Sequence, residues 1–205
     1  MKIKTIFSVI FIFCILLGLV WLFAFFREKN HNGLIIIGKA PSFSFVNQNG
    51  QNITNQAFKG KIYVVDFFFT SCPSICPIMS SNMVMVQNAF PKNNIGIASF
   101  SIDPEQDSPE ILKEYAKRYG VTNPNWHFLT GSETDVYKLA NDGFNIYAKQ
   151  GNTPESFEHS GLFALIDQNG YIVSRTDANG NPIIYYNGLD KQQVDFLIED
   201  IKKLM

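Results

Sequence analysis

The sequence predicts an α/β domain, a mixed sheet flanked by helices, preceded by one transmembrane helix. Three observations carry that reading. Residues 61–69 and 95–102 are continuous β-branched and aromatic runs with the character of strands buried on both faces. Each hands over to a helical pattern, while shorter alternating runs at both ends suit antiparallel strands, so the sheet is mixed. Residues 6–26 carry no formal charge, and at ~1.5 Å per residue a helix of that length crosses a hydrocarbon core of ~30 Å.

That N-terminal run ends Leu22-Phe23-Ala24-Phe25-Phe26, without the small residues of a cleavage site, so the anchor is expected to be retained. Cys14 sits among Ile, Phe and Leu, lacks the small residues that precede a lipoprotein cysteine, and reads as a lipid-facing thiol. Lys2 and Lys4 on one flank oppose Arg27 and Lys29 on the other, and the N-terminal amine tips the balance. The expectation is a single-pass protein of the inner (cytoplasmic) membrane with its C-terminal domain on the periplasmic or outer side. Residues 1–27 are then the anchor, 28–39 a tether, and 40–205 one globular domain.

Composition narrows the function. The 205 residues carry a net charge of −1, so no basic excess is available for a phosphate backbone and nucleic acid is not an expected partner. Nineteen Phe and eight Tyr belong mainly to the core, because aromatic rings bury large areas.

Along the domain, Ala40-Pro41-Ser42-Phe43-Ser44-Phe45 opens an alternating run and Asn47-Gln48-Asn49-Gly50 supplies a hairpin turn. The strand over 61–69 ends at Thr70-Ser71-Cys72-Pro73. From residue 75 the spacing of Ile78, Met79, Met83, Val86 and Phe90 predicts a helix that Pro91 stops. After the strand over 95–102, Asp107-Ser108-Pro109-Glu110 opens a helix over 111–119, closed by Gly120. Trp126-His127-Phe128-Leu129 reads as a strand, Ser132-Glu133-Thr134-Asp135 as a capped helix start, and Gly143 as a weak point near that helix's end. Strands over 162–166 and 171–175 flank the turn Asp167-Gln168-Asn169-Gly170; residues 177–188 form an excursion, and a final amphipathic helix covers 190–204.

Chemistry concentrates in Phe69-Thr70-Ser71-Cys72-Pro73-Ser74-Ile75-Cys76-Pro77. A spacing of four on a first helical turn puts both sulfurs on one face, close enough to form a disulfide or to grip a soft metal ion. A helix N-terminus favours negative charge and so lowers thiol pKa, which serves either task. Two thiolates seldom close a metal site, so a third ligand is sought among the histidines. His31 lies in the tether and reads as a solvated linker residue, and His127 as a packed strand histidine. His159, in the loop Glu158-His159-Ser160-Gly161 entering a strand, is placed where sites assemble. Met79 and Met83 are spaced as core residues; Met85 reads as more outward.

Residues 67–77, Phe-Phe-Phe-Thr-Ser-Cys-Pro-Ser-Ile-Cys-Pro, resemble the F-x-[FY]-T-x-C-x-x-x-C-P signature of the Sco/SenC family of copper-delivery proteins used in assembling cytochrome c oxidase. Ser101-Ile102-Asp103-Pro104-Glu105-Gln106-Asp107-Ser108-Pro109 is similar to that family's S-[VI]-D-P-x-x-D-[ST]-P segment, and Trp126-His127-Phe128-Leu129-Thr130-Gly131 to its W-x-x-L-T-G. The resemblance runs from about residue 40 to the C-terminus. It implies a thioredoxin-like fold in which Cys72, Cys76 and His159 ligate copper, with Asp103 as a nearby acidic residue that could supply or orient the rest of the ion's shell, although Asp103 reads equally as a turn residue before Pro104. Two thiolates and an imidazole independently suit Cu(I), and Cu(II) once water or a carboxylate completes the shell. Pro154, five residues before His159, does not restore the cis-proline that thioredoxins hold beside their cysteines. The implied partners are a copper-accepting oxidase subunit, an unnamed copper donor and a thiol reductant.

A rival keeps the fold and changes the class: an exported thiol-disulfide oxidoreductase or redox sensor, with Cys72 attacking and Cys76 resolving. Exchange enzymes usually place two residues between their cysteines, and the third here argues against a plain oxidoreductase. No Thr-x-x-x-Cys arrangement with a downstream arginine supports a peroxidase.

Overall fold

The computed structural model describes residues 12–21, 33–91, 94–149, 151, 153 and 158–205. The chain divides into a unit of residues 1–33 and a unit of residues 34–205. In the first, residues 12–21 form a helix, α1, whose side chains are exposed, Cys14 among them. No helix among the described residues is long and apolar enough to cross a membrane. The rest of the 6–26 run, and His31, lie outside the described residues, as does Pro154.

The second unit is built on one mixed sheet. Strand β1 (Ile35–Lys39) falls within the stretch read as tether, where Ile35, Ile36 and Ile37 have the β-branched character that an edge strand uses. β2 (Ser44–Asn47) and β3 (Asn52–Thr54) form the expected hairpin, with Gly50 at φ +72° in its turn. β4 (Ile62–Phe68) and β5 (Ile95–Ser101) are buried along their whole lengths and pair in parallel. Between them runs α2 (Cys76–Ala89). α3 (Pro109–Arg118), capped by the Ser108 side chain and started by Pro109, leads to β6 (Trp126–Thr130), again parallel to β5.

α4 (Glu133–Lys138) is capped by Ser132 and continues into a π-turn over Leu139–Gly143, the local irregularity that Gly143 announced. A two-stranded ribbon follows, β7 (Ala148–Lys149) against β8 (Glu158–His159). β9 (Leu162–Ile166), β10 (Tyr171–Ser174), the two-residue β11 (Tyr186–Asn187) and α5 (Lys191–Leu204) complete the chain. The 177–188 excursion returns to the sheet through β11, which pairs with β9 beyond the end of β10.

The strand order is β1-β10-β9-β4-β5-β6-β2-β3, so the parallel strands β4, β5 and β6 lie at the centre with antiparallel pairings outside them. Central strands must bury both faces, and alternation on β4 shows how. Phe67 stacks on Phe100 at 5.5 Å and meets Phe144 on one face, while Phe68 packs against Tyr115 of α3 and Phe128 of β6 on the other. α2 and α3 cover that second face together, joined by a hydrogen bond between Ser80 and Tyr115 hydroxyls at 2.8 Å. Both helices therefore begin at the C-terminal ends of the central strands, where crevices for ligands form in sheets of this kind.

Candidate metal centre

β4 ends at Phe68, and the turn from Phe69 to Ile75 carries the chain into α2. Pro77 sits in the first turn of α2, where a missing N–H costs nothing, and Ile75 at the N-cap offers no side-chain acceptor. The sulfur of Cys72 fills that role, accepting the backbone N–H of Cys76 at 3.5 Å. Ser74 Oγ lies 3.9 Å from the same sulfur.

His159 arrives just before β9, the strand that pairs antiparallel with β4, so it enters beside the end of β4. Pairing of Ala148 with His159 in the β7/β8 ribbon, and donation from the Ser160 N–H to the Tyr147 carbonyl at 3.0 Å, fix the backbone just before β9. The imidazole stands edge-on to the buried Phe69 ring, 5.8 Å between centroids, and its Nε2 lies 3.2 Å from Cys76 Sγ. Its Nδ1 is buried without a hydrogen-bond partner among the described residues. Cys72 Sγ, Cys76 Sγ and a ring nitrogen of His159 all lie within 4.8 Å of one another, and both cysteines are unbridged.

The two thiols divide their charge unequally. Cys72 is lowered to about 3, chiefly by the hydrogen bond from the Cys76 thiol, against burial, with help from His159 and the Cys76 and Ser74 backbone. Cys76 is pushed up, first because its proton is held by Cys72 and then because it is more deeply buried. In the metal-free pair the proton therefore favours Cys76 over Cys72. Cys72 is 9% exposed and Cys76 1%, so Cys72 is the sulfur that meets a reagent first.

Asp103 follows β5 and is buried, but it does not belong to the group of three candidate donors. Burial raises its carboxyl, as does neighbouring Asp107. Its backbone carbonyl accepts the N–H groups of Gln106 and Asp107. His127 packs edge-on to Phe58, with Asn47 Nδ2 3.2 Å from its Nδ1, as expected of a strand histidine. Met79 and Met83 are fully buried and Met85 is half-buried.

Two acidic residues escaped the sequence reading as parts of the site. Asp107, noted only as a helix opener, is fully buried and accepts the Thr70 N–H at 3.1 Å, the Thr70 hydroxyl, and the Ser101 hydroxyl at 2.5 Å. Asp66, in the middle of β4, accepts the Ser99 hydroxyl at 2.5 Å, and Ser99 in turn accepts Trp126 Nε1–H at 3.0 Å. Burial pushes the Asp66 carboxyl up to about 7, while Ser99 and the charge of His159 draw it back. A lone Asp in a run of Val and Phe was the available signal.

Two soft sulfurs and one imidazole, gathered at a sheet's C-terminal end, form a donor set for Cu(I) that is compatible with Cu(II) when a further ligand joins. The SCO1/SenC family profile matches residues 38–193. The chain belongs to the SCO1/SenC family. Among relatives, the SCO1 protein homolog of Bacillus subtilis is 34% identical over 163 residues, 78% of this chain and 79% of that protein. A SCO2-like protein of Rickettsia typhi is 35% identical over 147 residues, 68% of this chain and 69% of its own. Among solved structures, a SCO1/SenC family lipoprotein of Bacillus anthracis matches with a TM-score of 0.72 at 32% identity, over 82% of this chain and 95% of the other. BsSco, described as a Sco-family cytochrome c oxidase assembly protein with a disulfide switch, gives 0.70 at 31% over the same shares. Copper-bound yeast Sco1 gives 0.60 at 27%, over 80% of this chain and 88% of the other. The mixed sheet flanked by helices in this SCO1/SenC chain is therefore the arrangement of its solved relatives.

Proposed function

We propose that this SCO1/SenC chain is a copper metallochaperone: Cys72, Cys76 and His159 hold one copper ion as cargo, for delivery to the copper site of a respiratory oxidase subunit. The observation that carries the reading is the meeting of the His159 ring with two sulfurs that lie 83 and more residues away in sequence. The donors fit the ion: thiolates satisfy Cu(I), and the imidazole extends the set toward Cu(II). A domain with this task works at a membrane, and residues 6–26 supply the apolar run for an anchor that places the domain on the outer side. Copper-bound yeast Sco1 and the assembly role ascribed to BsSco support both the cargo and the target class.

A second reading is favoured by the unequal thiols and by the disulfide switch of BsSco. Here the Cys72 thiolate attacks a disulfide in the target, forming a mixed disulfide and releasing one target thiolate. Cys76, on losing its proton, attacks Cys72 and releases the second, so that two electrons pass to the target and the pair leaves oxidised. Preparing the target's cysteines and loading them with copper are compatible steps, since a metal site needs reduced thiols.

Titration of the reduced domain with Cu(I) and then Cu(II) tests the first reading, with one ion per chain expected. Wild-type protein that takes up neither ion, yet reduces a dithiol-disulfide peptide through Cys72, leaves the oxidoreductase in its place.

A further inference from the structure

The cysteine turn is gripped from the neighbouring loop. Asp107 is 0% exposed, and its carboxylate receives three donors: Oδ2 takes the Thr70 N–H and the Ser101 hydroxyl, and Oδ1 takes the Thr70 hydroxyl. Two of the three belong to Thr70, two residues before Cys72. The carboxylate is delivered there by its own loop: the Asp103 carbonyl accepts the N–H of Asp107 at 2.9 Å and of Gln106 at 3.2 Å, while the Asp103 N–H returns to Ser101 Oγ at 3.1 Å. Ser108 then caps α3, which fixes the other side of Asp107. The ends of β4 and β5 and the start of α3 are thus pinned at a single carboxylate.

On the turn itself, Ser71, Pro73 and Ser74 are exposed, and the Cys72 N–H reaches the Phe69 carbonyl only at 3.4 Å. The other internal bonds of the turn, from the Cys76 N–H at 3.5 Å and with Ser74 Oγ at 3.9 Å, end on the Cys72 sulfur itself, so the outside grip on Thr70 helps to set where that sulfur sits. Burial raises the Asp107 carboxyl while its bonds from Ser101 and Thr70 draw it back, and the grip rests on three hydrogen bonds converging on one buried group, where each unmade bond is costly.

We propose that Asp107 is a positioning residue of the copper site, acting through Thr70 to hold Cys72 where it can share an ion with Cys76 and His159. The proposal rests on the copper reading for its functional consequence. Its structural part, the holding of the turn, stands without metal.

The test uses Asp107→Ala with Asp107→Asn as the conservative variant, since an amide oxygen still accepts the Thr70 N–H while its NH2 faces the Thr70 hydroxyl, which can turn to accept. In the reduced, metal-free protein, amide exchange at residues 70–76 is expected to speed up about tenfold or more in Asp107→Ala while α5 stays protected. In the copper-loaded protein, release of Cu(II) to a competing chelator is expected to rise about tenfold with an altered thiolate-to-copper absorption band, and Asp107→Asn to recover most of both. Should Asp107→Ala fail to fold, Thr70→Val, which keeps the backbone bond and loses the hydroxyl, is expected to show about a threefold version of each effect. A folded variant with wild-type exchange at 70–76, or with wild-type copper release and spectrum, overturns the proposal. Wild-type protein that binds no copper overturns the copper reading instead, and the exchange measurement still decides whether Asp107 holds the turn.

Discussion

His159 Nε2 lies 3.2 Å from Cys76 Sγ because two separate devices meet at that point. One is the β4–α2 turn: Cys72 lies in the turn itself rather than on the first helical turn that the spacing suggested, and its sulfur accepts the N–H of Cys76, which opens α2. The other is the β7/β8 ribbon, which projects the ring across the edge of Phe69. Neither device works alone as a three-donor site, and each can be removed separately.

Removing the ring should separate the two oxidation states of copper. His159→Ala leaves two thiolates, sufficient for Cu(I) but poor for Cu(II). Outer-shell partners of metal ligands already cost 10–100-fold, so losing a ligand should weaken Cu(II) by about a hundredfold or more while Cu(I) changes far less. Competition with a chromogenic chelator in each state measures both. A variant that binds both ions like wild type would place His159 outside the copper site.

Cys72 should react where ordinary thiols do not. A thiolate exists above its own pKa, and with Cys72 lowered to about 3 its reactivity should be nearly flat from about pH 5 to pH 8. Cys76, pushed the other way and more deeply buried, should stay unmodified over that interval. Iodoacetamide labelling followed by peptide mass mapping reads the two sites separately. Labelling that begins only near the pKa of a free thiol, or falls equally on both, contradicts the assigned asymmetry.

Asp66 should make stability fall as pH rises. Its folded value of about 7 lies above the ordinary aspartate value of 3.8, so its contribution is fully present below the unfolded value and is lost as pH climbs through the folded one. In Asp66→Asn that dependence disappears. The variant should gain on wild type between about pH 4 and pH 8, by on the order of 4 kcal/mol at most. The gain is reduced because an amide must find partners that a protonated carboxyl does not need. Urea midpoints for both proteins across that interval measure it, and parallel curves would mean that Asp66 does not titrate there.

How far the sequence went follows from range. Where an element is specified by its own residues, it was legible: two buried strands, the Ser108-Pro109 helix start, the Asn47–Gly50 hairpin turn, and the paired cysteines. Polar contacts between loops were not, because Asp107 on one loop meets Thr70 on another only once the β4/β5 register sets them side by side. Asp107 has a local role that already accounts for it, which hides the second. β1 was hidden differently: an edge strand needs only one partner, β10, and that partner lies far along the chain. The same holds for the β7/β8 ribbon, two residues a side, too short to announce itself by alternation.

The grip of α5 on the sheet can be broken without touching the copper donors. Asp200 is 0% exposed and accepts Arg175 Nε–H at 2.6 Å, Arg175 Nη2–H at 2.9 Å, Lys203 Nζ–H at 2.7 Å and the Tyr186 hydroxyl at 2.8 Å. Burial alone would push its carboxyl up, but these bonds bring it below the ordinary range. The stability it contributes is therefore present above the unfolded value and is lost as pH falls through the folded one. Arg175 also lies over the Phe196 ring at 4.1 Å, so Arg175→Ala removes a stack as well as a charge. Breaking one side of a buried pair costs about 3–5 kcal/mol, and since Lys203 and Tyr186 remain, the loss should fall near the lower end. It should appear as a lower urea midpoint at unchanged slope, with copper stoichiometry intact. A variant that kept its midpoint but lost copper would tie Arg175 to the metal centre rather than to α5.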